Sequence, residues 1–250
     1  MRTVFVLLLT AVILAGCTDQ FDLRWPAGSS EHFTYTINTF YPEKHKGLND
    51  LTISRSDDGE LLTVTQTLEV VGTGRTIRTV ETYRAEGLEL VGSENSFILE
   101  PEAAAQLEMD TIFVSARIEN DRLIITNRPE IRPVSRLPLD GPLVTGIGAM
   151  LVTRDWSMAI GSVQNYAQVN LLLLGREPYL TEAIRDSVVS EENVVVPIGA
   201  FDCYRVMKLM PNIIGYTYYT RDQAHIPVMI QAFARETGEE LMNIVLTGME

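Results

Sequence analysis

Runs of alternating apolar and polar residues, divided by short turns, fill most of this chain, and such a pattern leaves an antiparallel sheet as the natural fold. Phe33, Tyr35 and Ile37 alternate with Thr34, Thr36 and Asn38, the period of two that gives a strand one dry and one wet face. Residues 51–54 form a second short run. Asp57-Asp58-Gly59 turns it into residues 61–71, Gly72-Thr73-Gly74 turns that into 75–84, and Glu86-Gly87 leads into 88–91. Phe97-Ile98-Leu99 reads as a separate short strand. Residues 112–118 and 123–126 pair across Glu119-Asn120-Asp121. Later runs at 166–174, 183–190 and 193–196 continue the pattern. Residues 203–209 turn at Pro211-Asn212 into 213–220, Arg221 to His225 turns into 226–235, and Thr237-Gly238-Glu239 turns into 241–247. Asp-Gly and Gly-x-Gly between alternating runs are hairpin signals, and strands joined this way make an antiparallel meander.

Two stretches break the period. Residues 101–109 carry Pro101 at the start and strong helix formers after it, which predicts a short helix. Residues 143–153 predict a second, with Leu143, Ile147, Met150 and Leu151 on one face, although Gly146 and Gly148 weaken it. Residues 155–161 read as irregular. Residues 128–142 hold four prolines and no period, which predicts a surface connection between two halves. Leu171-Leu172-Leu173-Leu174 is apolar on both faces, so it is buried on both sides or lines a cavity. The fold class expected is mainly β (α+β).

The N-terminus has a different character. Arg2 precedes an apolar run from residue 4 to 14, broken only by Thr10. A spanning helix needs roughly 20 apolar residues, so the run is too short to cross a membrane and reads as a signal peptide. Leu14-Ala15-Gly16-Cys17 looks like a bacterial lipobox, which implies cleavage before Cys17 and acylation of its thiol and amino group. Cys17 is therefore the expected lipid-modified residue. Each buried methylene contributes about 0.8 kcal/mol, so several acyl chains make a stable anchor. Thr18, rather than an aspartate, follows the cysteine, which resembles outer-membrane rather than inner-membrane lipoprotein sorting and places the protein in the bacterial envelope facing the periplasm. Residues 18–31, with Pro26, Gly28, Ser29 and Ser30, read as a tether. The expected organisation is a signal peptide over 1–16, a lipidated tether over 17–31 and one domain over 32–250.

Composition narrows the function classes. The formal net charge is −13, which disfavours binding to nucleic acid phosphates and anionic head groups. With Cys17 taken by lipid, Cys203 stands alone and no intramolecular disulfide can form. It sits in an alternating run, where a lone cysteine is a small buried hydrophobe rather than a nucleophile.

Val194-Val195-Val196-Pro197-Ile198-Gly199-Ala200-Phe201, followed by Val206, resembles a segment of uncharacterised exported bacterial β proteins. Tyr218-Tyr219-Thr220-Arg221-Asp222-Gln223-Ala224-His225-Ile226-Pro227-Val228 and the stretch from Asp155-Trp156 to Gly161 resemble further elements of that family. These proteins are similar to the LolA/LolB-like superfamily. The resemblance implies a curved antiparallel sheet, a half-barrel, around one or two short helices. Some members carry or receive lipoproteins in an apolar concavity.

A search for chemistry assigns no catalytic, cofactor or metal residues. His32, His45 and His225 lack ligand spacing, and no His-Glu-x-x-His or Gly-x-Ser-x-Gly occurs. Gly72-Thr73-Gly74 reads as a hairpin turn rather than a dinucleotide loop. Asp57 and Asp58 fit a solvated turn, and His225 an exposed one. Tyr216 and Tyr218 share a strand face that Tyr219 opposes, which suits a core or interface better than a binding rim. The leading expectation is a noncatalytic outer-membrane lipoprotein that binds a lipid, acyl chain or lipoprotein in its concavity or docks an envelope partner. The alternative is a structural or interaction subunit with a filled core. A hydrolase of envelope polymers ranks last.

Overall fold

The computed structural model describes residues 25–40, 44–130, 134–138, 143–169, 171 and 181–250. Its strands are β1 (Ser30–Thr39), β2 (His45–Arg55), β3 (Leu61–Val70), β4 (Arg75–Arg84), β5 (Leu90–Ile98), β6 (Thr111–Glu119), β7 (Arg122–Arg128), β8 (Ser135–Pro138), β9 (Leu143–Thr145), β10 (Val163–Val169), β11 (Thr181–Val196), β12 (Gly199–Leu209), β13 (Ile213–Thr220), β14 (Pro227–Ala234) and β15 (Glu240–Met249). Helix α1 covers Pro101–Leu107 and helix α2 covers Gly146–Asp155. All fifteen strands join one sheet in the order β8-β7-β6-β5-β4-β3-β2-β1-β15-β14-β13-β12-β11-β10-β9. Every ladder is antiparallel except that between β9 and β10, which α2 connects, as a parallel pair requires a crossover.

The sheet is curved and unclosed. Its two edge strands, β8 and β9, are neighbours in the chain, with only residues 139–142 between Pro138 and Leu143. A chain that short spans at most about 18 Å, so the sheet curls until its edges nearly meet. The curl turns one face of each half toward the other. Ile53, Leu62, Val64, Val114, Leu123 and Leu246 are all at 0 % exposure in a single apolar core. The turns follow from their residues. Asp58 accepts hydrogen bonds from Ser56 Oγ and the Glu60 amide, while Gly59 takes a left-handed φ of +76°, the region open to glycine. Pro197 and Ile198 form the two-residue turn between β11 and β12, where Val196 pairs with Gly199.

Several elements depart from the sequence reading. β5 is one continuous strand rather than two short runs, because its inward side chains include the polar Ser93 and Asn95. The proline-rich connection contains β8, paired with β7. The second helix begins three residues late, at Gly146. Leu143 to Thr145 pair with β10, and the Thr145 hydroxyl caps the helix by accepting from the Gly148 amide at 3.0 Å. β11 runs unbroken through a bulge between Val188 and Ser190. The folded body also starts before residue 32. Trp25 is buried in the core, Arg55 Nη1 donates to its carbonyl, and Gly28 N donates to Ser56 O, so residues 25–31 pack with the sheet rather than hang as tether. Cys17 and the apolar leader lie outside the described residues, as do Leu172 to Leu174. Leu171 is buried, as expected.

Candidate functional site

Helix α2 is the element on which the buried polar groups converge. Nearly every position of Gly-Ile-Gly-Ala-Met-Leu-Val-Thr before Arg154 is apolar or small, so no face of it prefers water. Gly148 lets it approach β4: a Cβ there would meet the Tyr83 hydroxyl, the closest atom to that point.

At the N-terminal end of α2, Glu81 of β4 is buried at 2 % exposure. Its Oε2 accepts from Tyr83 OH at 2.5 Å and from Thr145 Oγ1 at 2.5 Å, and its Oε1 accepts from Ser93 Oγ at 3.3 Å. Ser93 in turn accepts from Asn95 Nδ2, and Asn95 Oδ1 accepts from Thr79 Oγ1. Burial pushes the Glu81 carboxyl above its ordinary 4.5, and the three hydroxyl donors pull it back. Because Thr145 both caps the helix and holds the carboxyl, the acid sits where the helix dipole favours negative charge.

At the C-terminal end, Arg154 is at 0 % exposure. Its Nη1 lies 2.9 Å from Glu31 Oε2, its Nη2 donates to Glu31 Oε1 at 3.2 Å, and its Nε donates to Ala224 O at 3.0 Å. The guanidinium also lies 4.9 Å from the Trp25 ring centre and 5.5 Å from that of Phe33. Trp25 Nε1 donates to Glu31 Oε2. Beside this group, His225 is buried, with φ +44° and Nδ1 3.0 Å from Arg154 O. The expected exposed turn is therefore corrected. Asp222 accepts from Thr220 Oγ1 and Ala224 N, which tightens the β13–β14 loop and turns His225 inward.

Along the flank of α2, Asp186 of β11 is also at 0 % exposure. Its Oδ2 accepts from Tyr166 OH at 2.9 Å and Thr153 Oγ1 at 3.2 Å, while Oδ1 has no hydrogen-bond partner. Burial raises this carboxyl above 3.8, and Lys208, its cross-strand neighbour, lowers it. Burial lowers the Lys208 ammonium, against the pull of Asp186.

These groups position a helix; at such burial neither carboxyl meets a dissolved substrate in this arrangement. Cys203 is buried, and burial followed by the nearby Asp202 and Asp222 pushes its thiol up to about 12. Asp57 and Asp58 lie in an exposed turn. Among the described residues no group of His, Cys, Asp and Glu could hold a metal ion. Tyr216 and Tyr218 pack on the main core with the Arg205 guanidinium 3.9 and 5.8 Å from their ring centres, and Tyr219 joins a second cluster with Met158, Val188 and Val206. Before its last residue, Asp155, the side chains that α2 leaves partly open are apolar. Ile147, Met150 and Val152 are half-buried, and so are Ile77 on β4 and Ile244 on β15, all packed against the core. Sequence reasoning singled out none of Glu81, Arg154 or Asp186. A signal for Glu81 exists in Thr79-Val80-Glu81-Thr82-Tyr83, where Glu81 shares its phase with the buried Tyr83 and Val80 faces solvent.

No family model matches the chain, and no curated protein matches it. Solved structures do. A β-barrel-like protein of Domain of Unknown Function DUF1849 from Brucella abortus aligns with 90% of this chain and 98% of its own, at TM-score 0.56 and 10% identity. The fold is β-barrel-like. A Bacteroides fragilis protein with a YmcC-like fold aligns at TM-score 0.42 and 14% identity, over 90% of this chain and 98% of its own. A LolA superfamily protein from Nitrosomonas europaea aligns at TM-score 0.28 and 11% identity, over 94% of this chain and 92% of its own. Among the described residues no helix is long and apolar enough to cross a membrane.

Proposed function

We propose that this chain is a noncatalytic lipoprotein of the bacterial envelope, related to the LolA/LolB-like superfamily and held through Cys17 at the outer membrane, facing the periplasm. Within its curled sheet it holds an apolar ligand, an acyl chain or a lipidated peptide, against helix α2. The observation that carries this reading is the partly open apolar face of α2, where Ile147 and Met150 lie about one turn apart and half-buried. Burial of that surface by a ligand would contribute about 25 cal/mol per Å². The test is mass spectrometry of the native lipidated protein, before and after organic extraction. A noncovalent lipid that leaves on extraction, and is lost in Met150→Asp, is the expected result. A protein that carries only its covalent anchor sinks the ligand reading.

A second reading has its own support. Ala149 and Leu151 of α2 are at 0 % exposure, so much of the concavity is filled by the chain itself, as in a solid-cored subunit that docks an envelope partner. Stoichiometric capture of one envelope protein, with no extractable lipid, would favour it. The anchor itself is tested by Cys17→Ser, which should abolish acyl incorporation.

A further inference from the structure

The β11–β12 hairpin carries an uncharged, wholly apolar stretch at the surface of an acidic molecule. Residues 194–201 read Val-Val-Val-Pro-Ile-Gly-Ala-Phe, with no charged or polar side chain, in a chain of net charge −13. Val194 and Val196 are buried on one side of the hairpin. On the other side Val195 is 76 % exposed and Ile198 at the turn 38 % exposed, with Pro197, Gly199 and Ala200 also exposed. The acids below the tip are already engaged: Glu191 with Arg221 at 2.8 Å, Glu192 with Arg205 at 3.2 Å, and Asp202 with Asn193 Nδ2 at 3.0 Å.

The tip also sits at the end of the sheet from which the N-terminal segment leaves. The β13–β14 loop touches both. Its Arg221 bonds the hairpin, through the amide to Asp202 O and the guanidinium to Glu191. Its Ala224 carbonyl accepts from Arg154, whose guanidinium stacks on Trp25. From Trp25 back to Cys17 is eight residues, at most about 28 Å of extended chain. A lipid anchor on Cys17 therefore keeps this end of the sheet within about 28 Å of the bilayer. From Asp202 to the turn the hairpin runs on by four to five residues, about 15 Å at the strand rise, toward that same surface.

We infer that the β11–β12 tip is a second membrane contact, with Val195 and Ile198 entering the interface of a zwitterionic bilayer beside the Cys17 anchor and fixing the orientation of the sheet. This rests on the lipoprotein reading above. The bilayer is assigned as zwitterionic because the tip brings no cation and the molecule is acidic; an anionic surface would repel it. The apolar tip adds insertion of the kind interfacial segments use.

The test uses the lipidated full-length protein in phosphatidylcholine and phosphatidylethanolamine vesicles. Ile198→Cys is labelled with an environment-sensitive fluorophore; acylated Cys17 has no free thiol and buried Cys203 resists the reagent. Thr73→Cys, in the β3–β4 turn at the opposite end of the sheet, is the control. The expected result is a blue shift of the Ile198→Cys label and quenching by brominated lipid, with neither at Thr73→Cys, and loss of both in the Val195→Asp background. An unquenched tip label on protein that floats with the vesicles overturns the inference and leaves the anchor intact. Protein that fails to float overturns the anchor reading itself. Energy transfer between tip labels on separate copies, without lipid quenching, overturns the inference in favour of a second copy as the occupant.

Discussion

Two carboxylates are buried beside the same helix, one from each half of the sheet, and they are accommodated in opposite ways. Glu81, from the N-terminal half, has three hydroxyl donors and no cation among the causes that shift it. Asp186, from the C-terminal half, has two hydroxyl donors, a lysine across the ladder and one oxygen without a partner. Arg154 extends the ionic style to the end of the helix, where it meets Glu31. Hydroxyls can solvate an acid whether or not it carries a proton, whereas an ion pair works only when both charges are present. The N-terminal anchor of α2 should therefore tolerate a neutral substitute, and the C-terminal one should not.

The largest effect is expected from Arg154→Met, which leaves Glu31 with the Trp25 donor but no cation and the Ala224 carbonyl without the Arg154 Nε donor. A loss of about 3–5 kcal/mol in urea unfolding is expected, and a loss under about 1 kcal/mol would break the contrast at its ionic end. Glu81→Leu removes the acceptor shared by the Tyr83, Thr145 and Ser93 hydroxyls, leaving Tyr83 and Thr145 only their mutual 2.9 Å bond, and should lose about 2–3 kcal/mol. Glu81→Gln keeps an acceptor for Tyr83 and Thr145 and should lie within about 1 kcal/mol of the native chain; equal losses in the two variants would remove the hydroxyl-solvation account. Gly148→Ala places a methyl against the Tyr83 hydroxyl and should lose about 1–3 kcal/mol. Part of that loss should return in the Tyr83→Phe background, as read by thermal melting.

Smaller effects sharpen the same contrast. Because the folded pKa of Glu81 is raised, the folded chain binds more protons than the unfolded chain between 4.5 and the raised value. Stability from this group is thus fully present below 4.5 and falls as pH rises through the folded pKa. Relative to Glu81→Gln, the native chain should lose ground as pH climbs from 4.5 through the raised folded value, and urea midpoints along that series measure it. Lys208→Met should raise the Asp186 pKa further, and a double-mutant cycle with Asp186→Asn should show a coupling of about 0.5–1 kcal/mol, since Lys208 is only half-buried.

The strand order was legible wherever a turn carried its own chemistry, as at Asp57-Asp58-Gly59, Gly72-Thr73-Gly74 and Thr237-Gly238-Glu239. It was lost where the interior is polar. Ser93 and Asn95 face inward to serve the Glu81 network, so β5 showed no apolar alternation and read as two fragments. β8 was hidden because an edge strand beside prolines needs no period. His225 read as exposed because its burial comes from Arg154, seventy-one residues away, a contact that local pattern does not encode. Cys203, by contrast, read as a buried hydrophobe from its alternation alone and is one.

The sheet order has a consequence for how the chain can be cut. Read round the sheet, the strands follow the chain from β1 to β8 and from β9 to β15, and β15 lies beside β1, with His32 and Glu250 exchanging amide–carbonyl bonds at 3.0 and 2.9 Å. Spatial order is thus a circular permutation of chain order. Joining Glu250 to Trp25 and opening the chain between Pro138 and Leu143 would leave every ladder between consecutive strands. In the native connectivity one seam, β1 with β15, is stitched across more than two hundred residues, as the Thr247 to Thr34 hydrogen bond shows. Distant pairings of this kind slow folding, so the permuted chain should fold faster to the same sheet, and the β1–β15 seam is the last place where the native one becomes whole.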